Sequence, residues 1–187
     1  SQVKTLKWKT VPLVIFVTAG LIVSSSNIGK AQFVVFNNGA EVTVSQGCIV
    51  NILTGDLNND DGTIDNLGRI TVEGDLTNSD LLTGGGGSTG TFNVSGDWEN
   101  NAVFIADESI VNLNGANQLV TGTFSSDFYN LNLLGTGIKT LDIDASVSGV
   151  MQLNDRELAT DNNFIQILNP ATTAVTENGG FVSSTGN

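Results

Sequence analysis

The densest group of side chains that could do chemistry is an acidic stretch between residues 56 and 65. It reads Asp56-Leu57-Asn58-Asn59-Asp60-Asp61-Gly62-Thr63-Ile64-Asp65 and has the composition of a calcium-binding loop, in which oxygen ligands alternate and a glycine allows a sharp turn. Gly62 follows Asp61 directly, one position away from calcium-loop spacing, and no glutamate stands where the closing bidentate ligand belongs. We interpret the stretch as one copy of a repeat, with calcium binding as the alternative, and predict no metal site and no cofactor.

The remaining ionisable residues do not form a recognisable catalytic set. The nineteen Asp and Glu residues allow many carboxylate pairs for glycoside hydrolysis. The chain has no His, however, which is the commonest general base and metal ligand. Only three cations follow residue 31, and Arg69, Lys139 and Arg156 are far apart in the sequence, whereas sugar lyases stabilise developing charge with a nearby cation. We predict that the protein is not an enzyme and assign no catalytic residue.

Two aromatic residues and a glycine run allow a binding and a structural interpretation. Trp98 and Tyr129 could stack on carbohydrate, but we predict that Trp98 packs in the protein, at the repeat position that Leu57 and Leu76 also occupy. Gly84–Gly87 is not followed by Lys and lacks the strand, loop and helix of a phosphate-binding loop. The run therefore predicts a flexible turn or an insertion loop.

The single cysteine excludes an internal disulfide. We predict that Cys48 is a small buried residue of a β core, because free cysteine is among the most buried residue types. Pairing between molecules is the alternative.

Charge is distributed unevenly along the chain. Every acidic residue lies beyond residue 31, where 3 cations and 19 acids give a net charge of 3 − 19 = −16. Such a surface repels phosphate backbones and anionic lipid surfaces, because binding to either depends on Lys and Arg. We therefore exclude nucleic acid and membrane surfaces as partners of the part beyond residue 31.

The first 31 residues have the three parts of a secretory signal peptide. Lys4, Lys7 and Lys9 precede the apolar run Val11–Val23, and the small residues Gly29 and Ala31 place cleavage before Gln32. Thirteen helical residues would rise about 20 Å, less than the roughly 30 Å needed by a transmembrane anchor, which is the alternative. The sequence therefore predicts a signal peptide over 1–31 and an extracellular or cell-surface protein over 32–187, with no membrane contact after cleavage.

Beyond Gln32 the chain repeats a short motif about every twenty residues. Gly55-Asp56-Leu57, Gly74-Asp75-Leu76 and Gly96-Asp97-Trp98 share one pattern, and Gly115 and Gly135 continue it, so the intervals are 19, 22, 19 and 20 residues. Between these markers lie short runs that alternate apolar and polar residues, as half-buried strands do. They are Glu41–Val44, Arg69–Val72, Thr91–Val94, Ile110–Leu113 and Leu131–Leu133.

This periodicity predicts an all-β fold, a parallel β-solenoid of seven or eight coils over 32–187. Each coil would carry two or three short strands, and Asn residues at equivalent corners could stack into hydrogen-bonded ladders. The pattern is less regular from about residue 145, where Leu153–Leu158 and Phe164–Leu168 suggest two more strands. An antiparallel β-sandwich is the alternative, because it too has short strands separated by regular turns.

Three segments carry a resemblance to a known group of proteins. Gly96–Asn101, Val111–Gln118 and Phe128–Leu133 resemble the repeat region of large secreted surface proteins of the Bacteroidota. The resemblance covers roughly residues 32 to 141 and implies a structure similar to a parallel β-helix. It also implies secretion by the type IX route, although no sorting domain is visible at the end of the chain.

Together these features predict a secreted or cell-surface structural module that acts as a rigid spacer, stalk or fibre subunit. Its partners would be further copies of itself, joined end to end, or a longer C-terminal part of the same chain. The alternative is a polysaccharide-binding adhesin module that uses a flat face with Asn, Thr and Trp98.

Overall fold

The computed structural model describes residues 33–184, so the predicted signal peptide and its cleavage point before Gln32 lie outside the described residues. Within this range every regular element is a β-strand, and no helix could cross a membrane. The strands are β1 Phe33–Val44, β2 Ile49–Ile52, β3 Gly55–Asn66, β4 Arg69–Val72, β5 Leu76–Asn78, β6 Leu81–Thr83, β7 Thr91–Val94, β8 Trp98–Asn100, β9 Val103–Ile105, β10 Ile110–Leu113, β11 Gln118–Gly122, β12 Ser126–Phe128, β13 Asn130–Leu133, β14 Ile138–Leu141, β15 Ala145–Val147, β16 Met151–Asn154, β17 Glu157–Ala159, β18 Ile165–Ile167, β19 Val175–Glu177 and β20 Phe181–Ser183.

The strands form three parallel sheets whose neighbours belong to successive coils. Sheet A has ten strands, in the order β20-β17-β14-β11-β8-β5-β3-β6-β9 with β1 on β3. Sheet B has seven strands, in the order β19-β16-β13-β10-β7-β4-β2, and sheet C has three, in the order β12-β15-β18. This confirms the predicted parallel β-solenoid, with about seven turns, and gives no support to the antiparallel sandwich.

Each coil passes through a sheet B strand, a sheet A strand and a third side. In the first coils the third side belongs to sheet A, because β1 and β3 are long strands that run around a corner. The first half of β3 pairs with β5 and its second half with β6. The corner is at Gly62, whose φ is 106° and where a Cβ atom would lie 2.4 Å from the carbonyl oxygen of Ala40. Later coils use the separate sheet C on the third side.

Side-chain alternation explains why these segments are strands of a stacked core. In β7, Phe92 and Val94 are fully buried while Thr91 and Asn93 face outward, as a period of two requires. The pairing places each inward residue above its equivalent in the next coil, so Ile70, Phe92 and Val111 form one continuous column. All five strands predicted from alternation lie within strands of the structure.

Two expectations about local structure are wrong. Leu153–Leu158 is not one strand, because Asn154 adopts a φ of 54° and turns the chain between β16 and β17. Cys48 is exposed rather than buried. It belongs to the turn before β2, closed by a 2.9 Å hydrogen bond from its N–H to the Ser45 carbonyl, and this turn lies on the outside of the coil.

Candidate functional site

A buried column of asparagine side chains joins four successive coils at the corner where sheet A meets the third side. The Nδ2 atoms of Asn37, Asn59 and Asn78 donate to the Oδ1 atoms of the next member, at 2.8, 2.9 and 3.0 Å, and the column ends at Asn100. Asn59 and Asn78 also donate to backbone carbonyls of the following coil, both at 3.0 Å. Because these amides are hidden from water, the bonds satisfy groups that would otherwise be costly to bury. The predicted asparagine ladder is therefore confirmed.

The ladder stops where the third side changes length. Nine residues (101–109) separate β8 from β10, whereas seven (123–129) separate β11 from β13. Gly122 pairs with Asn100 and has no side-chain amide to continue the ladder. The Nδ2 atom of Asn100 therefore donates to the backbone carbonyl of Ser125, at 3.2 Å. On the third side β9 and β12 are both edge strands, and no pairing joins them.

The Gly-Asp motif is a second column, on sheet A. A carboxylate oxygen of Asp56 accepts a hydrogen bond from the N–H of Asp75 at 2.9 Å, and Asp75 does the same for Asp97 at 2.7 Å. The glycines before Asp75 and Asp97 are required by the close approach of the coils. A Cβ atom on Gly96 would lie 2.2 Å from Asp75 Oδ1 and 2.4 Å from the carbonyl carbon of Gly74. The motif thus connects coils and has a structural explanation.

The acidic stretch from Asp56 to Asp65 lies along β3 and not in a loop. Asp60 and Asp61 are exposed at the corner of the strand, and Asp65 accepts a hydrogen bond from the Thr83 hydroxyl. In residues 33–184 no three His, Cys, Asp or Glu side chains are grouped so that they could hold a metal ion. The arrangement agrees with the repeat interpretation, since alternate residues of β3 face inward.

Later coils place long polar side chains inside. Gln118 and Lys139 pair with each other in register and occupy the position that Gly96 holds in the coil before them. Gln118 donates to the carbonyl of Val94 at 2.9 Å and accepts from the N–H of Gly115 at 2.8 Å. Both side chains therefore form hydrogen bonds with backbone groups at the corner between sheets B and A.

Lys139 is a fully buried cation that forms no ion pair with any carboxylate in the described part of the chain. Its ammonium donates to the carbonyls of Gly115, Ala116 and Thr136 at 2.9, 2.6 and 3.1 Å. Burial, with a smaller contribution from the positive charge of Arg156, lowers the pKa of Lys139 to about 8. The three carbonyl dipoles are the groups that solvate the charged form.

A third column of amides runs along the outer face of sheet B. Asn132 donates to Asn112 at 2.8 Å, Asn112 to Asn93 at 2.7 Å, and Asn93 to the hydroxyl of Thr71 at 3.2 Å. These side chains are half-buried, and the Oδ1 atom of Asn132, at the end of the column, is buried without a hydrogen-bond partner. We call them the outer amide row. They place uncharged amide groups at intervals of one coil along this face.

The structure confirms that Trp98 is a core residue. Trp98 pairs in register with Leu76, which pairs with Leu57, and its side chain is 0% exposed. It packs against Phe92, Phe104 and Phe128, with ring centroids 5.0 to 5.9 Å away, and its Nε1 donates to the Ser126 hydroxyl at 2.9 Å. A buried indole cannot stack on a sugar, so the proposed role of Trp98 in carbohydrate binding is wrong.

A groove of about 390 Å³ lies beside sheet B. Its lining includes Gln46, Cys48, Ile49, Leu67, Arg69 and Ser88. The Gly84–Gly87 run lies in the turn before β7, as predicted, and this turn brings Ser88 onto the groove. Sequence reasoning did not identify the groove, because its parts come from three successive coils.

Comparison of the chain with protein family models, with curated proteins and with solved structures finds no match.

Proposed function

We propose that the protein is a secreted or cell-surface structural module whose solenoid acts as a rigid spacer or stalk. The observation that carries this proposal is the set of hydrogen-bonded columns that join successive coils: the asparagine ladder, the Gly-Asp column and the outer amide row. They add side-chain bonds to the backbone bonds of three parallel sheets. A load along the rod must break several of these bonds at every coil.

Location outside the cell is supported by the sequence. The signal peptide predicted over 1–31 would direct export, and the net charge of −16 beyond it would keep a rod of exposed strands apart from its neighbours. Antibody labelling of intact source cells tests the location. Labelling only after the cells are opened would contradict it.

Force spectroscopy on the whole chain, held by handles at both ends, tests the mechanical role. Coils should open in steps of about 20 residues, each releasing roughly 66–72 Å of chain at 3.3–3.6 Å per residue. Asn78→Leu should lower the force of the steps around the ladder. Extension without resistance would overturn the proposal.

The spacer and the fibre subunit differ in whether copies associate. The edge strands β19 and β20 carry Val175 and Val182, which continue the core columns of Met151 and Leu158 yet are 39% and 44% exposed. An open strand edge of this kind favours pairing with a further strand, from another copy or from a continuation of the same chain. Sedimentation velocity over a range of concentrations distinguishes the two roles. A sedimentation coefficient that increases with protein concentration indicates a fibre subunit, and a monomer at every concentration indicates a spacer.

A second candidate function, polysaccharide binding, is favoured by the outer amide row. Amide side chains bind sugar hydroxyls as both donors and acceptors, and Asn93, Asn112 and Asn132 are evenly spaced on an outer face. A glycan array tests it, with Asn112→Ala as the variant that should lose binding while staying folded. Absence of binding to any glycan would remove this candidate.

A further inference from the structure

Arg69 differs from the other two cations of the described region. Lys139 is buried among backbone carbonyls, and Arg156 is paired with Asp155. Arg69 is exposed, and among residues 33–184 it forms no ion pair. In a region with a net charge of −16, an arginine without a carboxylate partner is free to bind an anion from outside.

Arg69 lies in the groove of about 390 Å³ described above, and no carboxylate of residues 33–184 lines that groove. The groove crosses three stacked corners of the solenoid. The N–H of Arg69 donates to the Cys48 carbonyl at 3.0 Å, and the N–H of Thr91 donates to the Gly68 carbonyl at 2.9 Å, so the corners are held in register. A Cβ atom on Gly68 would lie 2.5 Å from the Cys48 carbonyl oxygen, which shows how closely they stack.

The turn that contains the glycine run forms one wall of the groove. Ser88 donates from its hydroxyl to the Leu67 carbonyl at 3.1 Å, which anchors the extra residues of this coil over the corner below. Thr89 and Gln46 add further polar groups, and Ile49 adds an apolar surface that is 52% exposed. A sugar acid can be held by a guanidinium group that binds its carboxylate, by hydroxyl and amide groups that bind its hydroxyls, and by an apolar patch that contacts its ring, and the groove offers all of these.

The groove opens directly onto the outer amide row. Arg69 and Thr71 are two residues apart on β4, and Thr91 and Asn93 are two apart on β7, so all four side chains face the same way. We propose that this surface binds a neutral glycan strand that carries a single uronic acid. The Arg69 guanidinium would hold the carboxylate, and the amides would hold the neutral sugars. The inference rests on the second candidate function, glycan binding.

The charge of the protein restricts the ligand further. A densely anionic polysaccharide would be repelled by the acidic surface, whereas a single carboxylate on a neutral chain can be held by Arg69 in a groove that no carboxylate of residues 33–184 lines. The structure therefore favours a sparsely charged glycan over a polyanion.

Calorimetry on the full chain tests this with xylotetraose that bears one glucuronic acid, compared with plain xylotetraose. The acidic sugar should bind at least about tenfold more tightly, because a charge-assisted bond forms only with its carboxylate. Arg69→Gln should remove that difference, and Arg69→Lys should restore part of it. Arg156→Gln is the matched control and should leave the binding unchanged.

The acidic sugar should also slow alkylation of Cys48 by neutral iodoacetamide, since Cys48 lines the groove.

The outcomes distinguish the Arg69 carboxylate site from the more general proposal that the protein binds glycans. Equal binding of both sugars, or an unchanged preference in Arg69→Gln, would overturn the Arg69 site while leaving glycan binding in place. Absence of binding to either sugar would overturn the site, and the glycan array would then decide whether glycan binding fails with it. Equal inhibition of alkylation by acetate would show that a bare carboxylate suffices, which would overturn the assignment to a glycan.

Discussion

The coils before and after residue 108 fill the same positions with different side chains. One inward column of residues in register shows the change: Gly55, Gly74, Gly96, Gln118, Lys139, Leu158 and Val182. In the amino-terminal coils, residues 33–105, glycine lets the coils approach closely, and an asparagine ladder fills the opposite corner. In the carboxy-terminal coils, residues 110–183, the ladder is absent and long side chains point inward.

The comparison shows that the corner carbonyls of a solenoid can be satisfied in two ways. The asparagine ladder uses a neutral side chain that also binds its own equivalents, so its energy depends on several coils together. Gln118 and Lys139 each reach backbone groups separately, and Lys139 adds a charge that must be solvated inside. We therefore expect the amino-terminal coils to be sensitive to polar deletions and the carboxy-terminal coils to be sensitive to pH.

The largest expected effect is that of Asn78→Leu in the ladder. This change removes the bonds to Asn59 and Asn100 and leaves a buried donor and a buried acceptor without partners. At about 1–3 kcal/mol for each of these two groups, the free energy of unfolding should fall by about 2–6 kcal/mol in urea denaturation. A loss below about 1 kcal/mol would mean that the ladder contributes little to stability.

Gly96→Ala should have the next largest effect. Its Cβ atom would lie within 2.5 Å of backbone atoms of Gly74, so the coils must move apart, at a cost of about 2–3 kcal/mol. Gly86→Ala is the matched control, because its Cβ atom would meet only Asp107 Oδ1 at 3.8 Å. Thermal unfolding of both variants measures the difference, and equal midpoints would contradict the steric explanation.

Lys139 should make stability depend on alkaline pH. Its pKa is about 8 in the folded protein against 10.5 for an unperturbed lysine, so between these values only the unfolded chain keeps the proton. The free energy of unfolding should therefore rise as the pH increases from 8 towards 10.5. Lys139→Gln puts at position 139 the residue type that already occupies the equivalent position 118 in the coil before it, and this variant should abolish the rise. Urea midpoints at pH 7 and 9.5 measure it, and the same rise in both proteins would contradict the assignment to Lys139.

The smallest expected effect on stability is that of Asn112→Ala in the outer amide row. Water can replace the lost bonds of a half-buried side chain, so the free energy of unfolding should fall by less than about 1 kcal/mol. A loss as large as that of Asn78→Leu would show that the outer and inner columns are equivalent. Urea denaturation of the two variants side by side makes the comparison.

The architecture was predictable because its signals are local and repeat. The spacing of Gly55, Gly74 and Gly96 predicts the coil length, and the match of Trp98 with Leu76 predicts a core position. Both follow from stacking identical units.

The rest depends on contacts between coils that spacing alone does not reveal. Lys139 looks like a surface cation in the sequence, and only the corner carbonyls of the coil before it explain why it is inside. Cys48 was predicted to be buried, but it lies in an outward turn. The groove at Arg69 combines turns about twenty residues apart, one of them enlarged by the glycine run.

The column that changes from glycine to Gln118 has a consequence for how such a rod could lengthen by gene duplication. A copy of the coil formed by residues 74–95, inserted beside its source, brings its own glycine, aspartate and asparagine and extends the Gly-Asp column and the asparagine ladder. A copy of the coil that contains Gln118, inserted at the same place, would interrupt the ladder with Gly122. Duplications are therefore tolerated best within one class of coil, and the boundary after Asn100 separates two segments that can grow independently.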